Sequence, residues 1–431
     1  MKAGLFECDI TPPAGIYLAG YPSRNEPSKG VADPLFLRML ALEDSAGERV
    51  VLVTSDLLTL PRDMSWRTKK WCEETFGLKS SALVLNTSHT HCAPGLFHQE
   101  CYPQWPVDAG YVRRLESLIR EGIESALKDL KPAGITFGIH QAHFGISRRL
   151  PDPELGGKVR MAPNEKGYYD PDLPVMAVYD AGCATPKAIL YSYACHPTSR
   201  SGFEVSADYP GDISRGLKKA LGNGVMTLFA QGAGASIMPR KLDGHSSWEG
   251  IATDIASFAT SEKMQELELS LKTAEKEFVI PYDMEKLPSQ DELLALCDPA
   301  EESIPKEWRP ANRAIVRHWA NFIYEKVRTN SLDKGFRMHL TRIGLNENTQ
   351  IIALSGEVTA EVGRMIKDAL PGKRTMFLGY CSYTDAYIPA AKMIPEGGHE
   401  GFASMFFHMR PAPFVKEIDD IIRKEVLSLK I

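Results

Sequence analysis

The chain has 431 residues, of which 43% are hydrophobic and 24% are charged, and its formal net charge is −5. This length and composition allow a large buried core, in one domain or in a few. The charges form no runs and the balance is slightly acidic, so we expect no nucleic acid and no anionic membrane surface as partner.

The cysteines and the N-terminal residues indicate the compartment. Eight cysteines are scattered without a Cys-x-x-Cys pair, which disfavours a structural zinc cluster and a disulfide scaffold. The first residues lack the apolar run of a leader, and no window reaches the roughly 18 apolar residues that a spanning helix needs. We therefore expect a cytoplasmic protein without a transmembrane segment, or a periplasmic or secreted one if a leader has been removed.

The first part of the chain predicts strands joined by turns and a helix. Residues 2–10 alternate as a strand, and residues 35–42 and 50–54 form two apolar runs that indicate a hairpin. A helix over residues 63–76 separates the second run from a short apolar strand at residues 82–85. The order strand, helix, strand favours a parallel pair.

Two histidines one residue apart follow the strand at residues 82–85. Side chains alternate along an extended chain, so His89 and His91 should point the same way from the strand end, where α/β proteins commonly build sites. One metal ion could use one or both, and a hydrogen-bonded pair of surface histidines is the alternative. Asp56 ends the preceding strand, where it could cap a helix or orient an imidazole.

The middle of the chain supplies a second strand that ends in a histidine. A helix is predicted over residues 111–130, and strands are predicted over residues 135–145, 175–179 and 187–194. His196 follows the last of these strands, and Asp208 opens a helix that it could cap, or it could orient an imidazole. Residues 145–172 are polar and rich in Gly and Pro, which indicates a long functional loop.

The C-terminal half predicts helices, followed by strands that lead to a carboxylate and several tyrosines. Residues 247–330 have a pattern that predicts helices with a Pro-containing break around residues 280–288, and they could form an insertion or a cap. Strands are predicted at residues 349–354 and 375–379, with Glu357 at the turn after the first of them. Together the elements predict an α/β fold of mixed β-sheets flanked by helices.

Six short motifs occur in a fixed order between about residue 3 and residue 405. They are Asp9-Ile-Thr-Pro-Pro13, Ser88-His-Thr-His-Cys-Ala-Pro-Gly95, Cys195-His-Pro-Thr198, Ser206-Ala-Asp-Tyr-Pro-Gly211, Gly356-Glu357 with Gly363-Arg364, and Tyr387-Ile-Pro389 with His399-Glu-Gly401. This ordered set resembles the neutral/alkaline non-lysosomal ceramidases and their bacterial relatives. The resemblance implies one catalytic domain over residues 1–431, in which the pattern of residues predicts a mostly helical insertion or cap at about 247–335. Full-length ceramidases carry a further C-terminal immunoglobulin-like sandwich, which we do not expect here because the chain ends near the last motif.

The resemblance also implies a zinc-dependent hydrolase of a linear amide. The zinc ligands that it implies are His89, His196, Glu357 and Tyr387. Imidazole and carboxylate are the usual ligands of a catalytic zinc, which lowers the pKa of water to about 7. Tyr387 is the ligand with close alternatives, because Tyr380 and Tyr383 lie nearby and could take its place.

Further roles follow from the same resemblance. His91 falls beside the metal, where it could move protons, and Arg148 falls near the substrate carbonyl, where its charge could stabilise an oxyanion. Tyr383, His399 and Ser236 are assigned to the substrate pocket. Catalysis is thus expected to use metal-activated water.

Two departures from the family pattern bear on the substrate and the mechanism. Ceramidases carry Gly-Asp-x-Ser/Asn-Pro, whereas this chain has Gly234-Ala-Ser-Ile-Met-Pro239, in which Ser236 has no visible partner base and is not expected to be a nucleophile. The sequence shows no amphipathic basic helix that could hold the protein at a membrane surface. The substrate could therefore be smaller and more soluble than ceramide. The alternatives are a zinc esterase or lactonase acting on a small sugar-derived substrate, and a non-catalytic binding relative.

Overall fold

The computed structural model describes residues 1–96, 106–242, 247–297 and 313–431. In chain order the strands within these ranges are β1 Lys2–Asp9, β2 Gly30–Val31, β3 Phe36–Glu43, β4 Arg49–Ser55, β5 Leu83–Thr87, β6 Lys131–Gln141, β7 Gly145–Pro151, β8 Val159–Asn164, β9 Asp172–Asp180, β10 Ala188–Tyr193, β11 Glu204–Val205, β12 Met226–Gln231, β13 Ile237–Pro239, β14 Gln265–Glu266, β15 Lys272–Pro281, β16 Gly335–Gly344, β17 Thr349–Leu354, β18 Glu357–Val358, β19 Arg374–Leu378 and β20 Tyr387–Ile388. The helices are α1 Arg62–Phe76, α2 Ala109–Lys128, α3 Asp208–Leu221, α4 Trp248–Ala259, α5 Gln290–Leu296, α6 Arg313–Arg328, α7 Ala360–Asp368, α8 Met393–Glu396, α9 Ser404–Phe407 and α10 Ile418–Ser428.

The largest sheet has the strand order β12-β10-β9-β6-β1-β3-β4-β5, with β14 paired to β6. β3 and β4 form the predicted antiparallel hairpin. β5 runs parallel to β4, as the intervening helix α1 predicted. β10 and β12 are also parallel neighbours. The predicted α/β fold with mixed sheets is thus confirmed.

A buried asparagine joins the two ends of this sheet. Asn86 on β5 is 1% exposed, and its side-chain oxygen accepts a hydrogen bond of 2.8 Å from the backbone N–H of Gln231 at the end of β12. Its amide nitrogen donates to the carbonyl oxygen of Gly379 at 2.7 Å and more weakly to that of Gln231 at 3.3 Å. One side chain therefore fastens β5 to β12 and to the end of β19.

A second sheet, of order β15-β16-β17-β19, carries the C-terminal part of the site. β17 and β19 are parallel, so both strand ends face the same edge. Beyond them the short strands β18 and β20 pair in parallel, with Glu357 opposite Tyr387. This pairing places a carboxylate and a phenol side by side.

Two regions differ from the sequence-based expectation. Residues 145–172, expected to be a loop, contain the antiparallel strands β7 and β8. Residues 272–281, expected to be helical, form β15, which pairs with β16 along its whole length. The first half of β15 is rich in Lys and Glu, which favour helix on propensity, and the cross-strand pairing with β16 overrides that preference. The part of the expected helical insertion at residues 298–312 lies outside the described residues.

The structure bears on the predicted thiols and on the possibility of a transmembrane helix. The seven cysteines among them are free thiols, and Cys101 lies outside the described residues. Among the described helices, none combines the length and the apolar composition that crossing a bilayer requires.

The Asn86 contacts predict a large loss of stability on truncation. Asn86→Ala should lower the free energy of unfolding by about 3 kcal/mol, because the N–H of Gln231 and the carbonyl oxygen of Gly379 are left buried without this partner. Urea titration measures the change. Asn321→Ala, at an exposed position of α6, is the control and should change stability by less than about 0.5 kcal/mol. Equal stabilities of the two variants would contradict the prediction.

Candidate metal centre

Two histidines reach the site from the ends of β5 and β10. His89 lies two residues after β5, in a backbone conformation with φ of 65°, and its Nδ1 is 2.7 Å from the carbonyl oxygen of Leu58. Nδ1 of His196 is 3.0 Å from the carbonyl oxygen of Gly234. A carbonyl oxygen can only accept, so each Nδ1 carries the proton. In the neutral imidazoles both Nε2 atoms then present lone pairs.

A carboxylate faces both of these lone pairs. Oε2 of Glu357 is 3.2 Å from Nε2 of His89 and 3.5 Å from Nε2 of His196. The Glu357 side chain is almost fully buried, and neither its Oε2 nor the Nε2 of His196 has a hydrogen-bond partner among the described residues. Three electron pairs thus converge at buried atoms, which is unfavourable unless a cation or a proton lies between them.

The spacing of these atoms suits a metal ion better than a proton. Ligand bonds of 2.0–2.1 Å in tetrahedral zinc sites place ligand atoms about 3.4 Å apart, close to the two distances measured here. A proton on His89 would form an ion pair with Glu357, but it would leave Nε2 of His196 without a partner. The donor set therefore fits a divalent cation.

His91 lies beside this group. The candidate ligand atoms of His89, His91 and His196 all lie within 4.8 Å of one another, and both ring nitrogens of His91 are buried without a hydrogen-bond partner in the part of the chain that the structure describes. Its ring packs against Gly20, where a Cβ atom would come within 2.5 Å of its Cγ. A glycine at position 20 therefore makes room for the ring, and the Arg24 guanidinium donates to the carbonyl oxygen of His91.

Burial sets the protonation states of the site. It lowers the pKa of both His91 and His196 well below the usual value, so both imidazoles are neutral near neutral pH. Burial alone would raise the pKa of Glu357, but its electrostatic contacts with the neighbouring His89, His408 and Tyr387 outweigh burial and hold that pKa at about 2. Neutral imidazoles and an ionised carboxylate are the forms that bind metal ions.

Tyr387 and Arg148 complete the wall next to Glu357. Nη2 of Arg148 donates to the hydroxyl oxygen of Tyr387 at 3.2 Å, and both side chains are buried. Burial raises the pKa of Tyr387 well above its usual value, so its hydroxyl keeps its proton without a metal ion. As a ligand it would need the ion itself to remove that proton.

A cavity of about 540 Å³ opens onto these groups. His89, His91, Glu357, Tyr387 and His399 line its inner part, and His399 packs edge-on against Tyr387 with 4.8 Å between ring centroids. The predicted residues His89, His91, His196, Glu357, Tyr387, Arg148 and His399 therefore lie in one region.

Two further side chains lie close to the centre: His408, which was not predicted, and Tyr380, which was predicted only as an alternative to Tyr387. Nε2 of His408 is 3.7 Å from Oε1 of Glu357, and His408 lines the cavity. Tyr380 packs on His89 at 4.5 Å between centroids, and its hydroxyl is 3.4 Å from Nδ1 of His196. His408 follows no strand and belongs to none of the motifs, so no sequence signal marked it.

Four further predicted residues have other partners. The Tyr383 hydroxyl contacts Arg62 and the carbonyl oxygen of Arg337, and it does not line the cavity. Ser236 donates to Glu361 at 3.1 Å and accepts from the N–H of Ala360 at the start of α7. Neither residue has the substrate-pocket position that we expected.

The two aspartates likewise point elsewhere. Asp56 accepts hydrogen bonds from Arg38 and from the N–H of Phe36. Asp208 accepts from the hydroxyl of Ser199 and from the backbone N–H groups of Ser199 and Arg200. The groups that orient His89 and His196 are backbone carbonyls, and not the carboxylates that we expected.

Comparison with known proteins finds a family match in the N-terminal part of the chain. Residues 2–215 match the family model described as neutral/alkaline non-lysosomal ceramidase, N-terminal. Over 99 residues the chain is 29% identical to the neutral ceramidases of Drosophila pseudoobscura pseudoobscura and Drosophila melanogaster. That match spans 22% of this chain and 14% of each relative.

Solved structures show that the fold is shared over nearly the whole chain. The crystal structure of the neutral ceramidase from Pseudomonas aeruginosa superposes with a TM-score of 0.75 at 18% identity, covering 99% of this chain and 73% of that one. A ceramidase complexed with C2 superposes with a TM-score of 0.71 at 16% identity, covering 99% and 74%. At these identities the likeness establishes the fold.

We expect the protein to bind zinc through the histidines of this centre. After chelation and dialysis against zinc, the protein should retain about one equivalent per chain, and His196→Ala should lose most of it because a converging lone pair is removed. Elemental analysis gives the stoichiometry. His140→Ala is the control, because that ring stacks on Phe258 away from the centre and should not matter. Equal zinc content in both variants would contradict the assignment.

Proposed function

Because residues 2–215 match the neutral/alkaline non-lysosomal ceramidase family, we propose that the chain is a zinc-dependent hydrolase of linear N-acyl amide bonds. One observation carries this proposal. The Nε2 atoms of His89 and His196 and the Oε2 atom of Glu357 converge without protons between them, next to a cavity that is open to substrate. Nitrogen and carboxylate donors in such a site are typical of catalytic zinc.

Four residues would hold the ion in this proposal. They are His89, His196, Glu357 and Tyr387, of which Tyr387 lies opposite Glu357 in the β18–β20 pair. When bound, zinc supplies Lewis acidity, which polarises a carbonyl group and lowers the pKa of a water molecule. The backbone carbonyl oxygens of Leu58 and Gly234 fix the two imidazoles in the tautomer that leaves Nε2 free to bind.

Arg148 would stabilise charge during the reaction, and His91 would transfer a proton. Water adds to the amide carbon, and the Arg148 guanidinium stabilises the negative charge that develops on the former carbonyl oxygen. His91 is neutral and has two unpartnered nitrogens, so it can accept the proton that the water loses and pass it to the leaving nitrogen as the C–N bond breaks. The products are a carboxylate and an amine.

The Ser236 environment argues against a covalent mechanism. Its hydroxyl donates to Glu361 and accepts from the N–H of Ala360, so it is used at the start of α7. No histidine or lysine among the described residues forms a hydrogen bond with it. Attack by water therefore accounts for the site better than attack by Ser236.

The cavity lining supports a polar substrate that is smaller than ceramide. Apolar side chains such as Leu58, Phe322 and Phe407 share the cavity lining with charged ones: Arg62, Asp63, Lys326, Asp333, Asp385 and Arg410. An amide with a short acyl chain and a polar amine part would satisfy these charges, whereas two long alkyl chains would desolvate them without compensation. We therefore propose a short-chain N-acyl amide as substrate.

A chain-length series tests the proposed activity. Zinc-loaded protein should hydrolyse N-acyl amides, with kcat/KM falling as the acyl chain lengthens, because longer chains must pass the charged lining. Release of the amine measures the rate, and simple esters of the same acids are assayed in parallel. His89→Ala and Glu357→Ala should lose activity. Hydrolysis at equal rates by the wild type and both variants would refute the site, and preference for esters would favour an esterase.

His91→Ala separates a proton carrier from a metal ligand. The variant should keep its zinc and lose activity by about 10²–10⁴-fold in kcat, the usual contribution of general acid–base catalysis. Elemental analysis and amine release are measured on the same sample. If His91→Ala loses its zinc together with its activity, His91 is a ligand, and the proposed ligand set is wrong.

A further inference from the structure

A single buried carboxylate holds two consecutive arginines behind the site. Glu400 is 3% exposed, and its Oε1 accepts a hydrogen bond from Nε of Arg148 at 2.7 Å. Its Oε2 accepts from Nη1 of Arg149 at 2.6 Å. Burial alone would raise the pKa of Glu400, but the two guanidinium groups outweigh it and hold that pKa at about 2. The carboxylate is therefore ionised at any working pH.

An irregularity in β7 lets neighbouring residues share this partner. Side chains of consecutive strand residues normally point to opposite faces. Here the register between β7 and β8 shifts between Ser147 and Arg149. Such shifts re-aim a side chain, and they are common next to active sites. Both arginines can thereby reach Glu400.

The two arginines use their remaining donors differently. Nη2 of Arg149 donates to Glu396 at 2.9 Å and to the carbonyl oxygen of Gly397 at 3.2 Å, so Arg149 is bound to the same segment that carries Glu400. Nη2 of Arg148 instead donates to the hydroxyl oxygen of Tyr387 at 3.2 Å. One edge of the Arg148 guanidinium is anchored, and another faces the site.

The backbone around Glu400 has little room for other residues. Glu400 lies in a single π-helical turn, His399–Ala403, a feature that is frequent at functional sites. A Cβ atom at Gly401 would lie 2.1 Å from the carbonyl oxygen of Met393, and one at Gly398, where φ is 74°, would lie 2.4 Å from Cγ2 of Val159. The glycines therefore permit the packing that holds Glu400 against β7.

We propose that Glu400 is a positioning residue, which fixes the Arg148 guanidinium with one edge toward Tyr387, and that Arg149 locks Glu400 in place. The inference rests on the proposed function, in which Arg148 stabilises charge on the reacting carbonyl oxygen. A guanidinium without its anchor would adopt several rotamers, and the site would lose an oriented donor.

Glu400→Gln tests this role with an almost isosteric side chain. Its kcat should fall about 10–100-fold while KM for a neutral amide changes by less than about threefold, because the lost interaction forms with the transition state. The zinc content should stay unchanged. Glu165→Gln is the matched control, since Glu165 pairs with Arg240 at the surface, and it should behave as wild type.

Crystal structures of wild type and Glu400→Gln test the positioning without turnover. We expect the contact between Nη2 of Arg148 and the Tyr387 hydroxyl to be lost in the variant, and its persistence together with an unchanged kcat would overturn the proposal. If no amide is hydrolysed by wild type, the proposed function fails, and the structures still decide the role of Glu400. Should Glu400→Gln fail to fold, Arg149→Lys is the second variant, because lysine keeps the positive charge but lacks the forked donors of a guanidinium group. Its kcat should fall about three- to tenfold. An unchanged kcat would count against the proposal.

Discussion

The hydrogen bonds of Asn86 are the constraint on which the site depends. This side chain joins β5 to Gln231 at the end of β12 and to Gly379 beyond β19. Gln231 in turn donates from its side chain to the carbonyl oxygen of Cys195, the residue before His196. A continuous chain of buried hydrogen bonds therefore connects the segments that carry His89, His196 and Tyr380. Separating these segments would leave buried amide groups without hydrogen-bond partners, which is energetically unfavourable. The segments therefore stay together while the core is folded.

Within that frame, backbone carbonyls rather than carboxylates determine what the imidazoles can do. The carbonyl oxygens of Leu58 and Gly234 each accept a hydrogen bond from one Nδ1–H, so the lone pairs of two Nε2 atoms are directed at Glu357. The pairing of β18 with β20 brings Tyr387 alongside, and Arg148 approaches from β7. Elements far apart in the chain thus supply a donor set that is unfavourable without a cation, next to a cavity with both apolar and charged side chains in its lining.

Part of this arrangement could be predicted from the sequence. Strand-end histidines are local signals, so His89 and His196 followed from apolar runs, whereas the roles of Glu357, Tyr387 and Arg148 came from the resemblance of short motifs. Long-range pairing was the main failure, as β15 shows, because its Lys and Glu residues favour helix until β16 supplies a partner. Asp56 and Asp208 were plausible orienting groups by position, but carbonyl oxygens, which every residue has, leave no mark in a sequence. His408 was missed for a related reason, since it reaches Glu357 only through tertiary folding.

The most direct measurement is a crystal structure of zinc-soaked protein with anomalous diffraction data collected on either side of the zinc absorption edge. The account predicts one anomalous peak per chain within bonding distance of Nε2 of His89, Nε2 of His196 and a carboxylate oxygen of Glu357. Absence of a peak there, or a peak bound only elsewhere in the protein, would contradict the assignment of this centre.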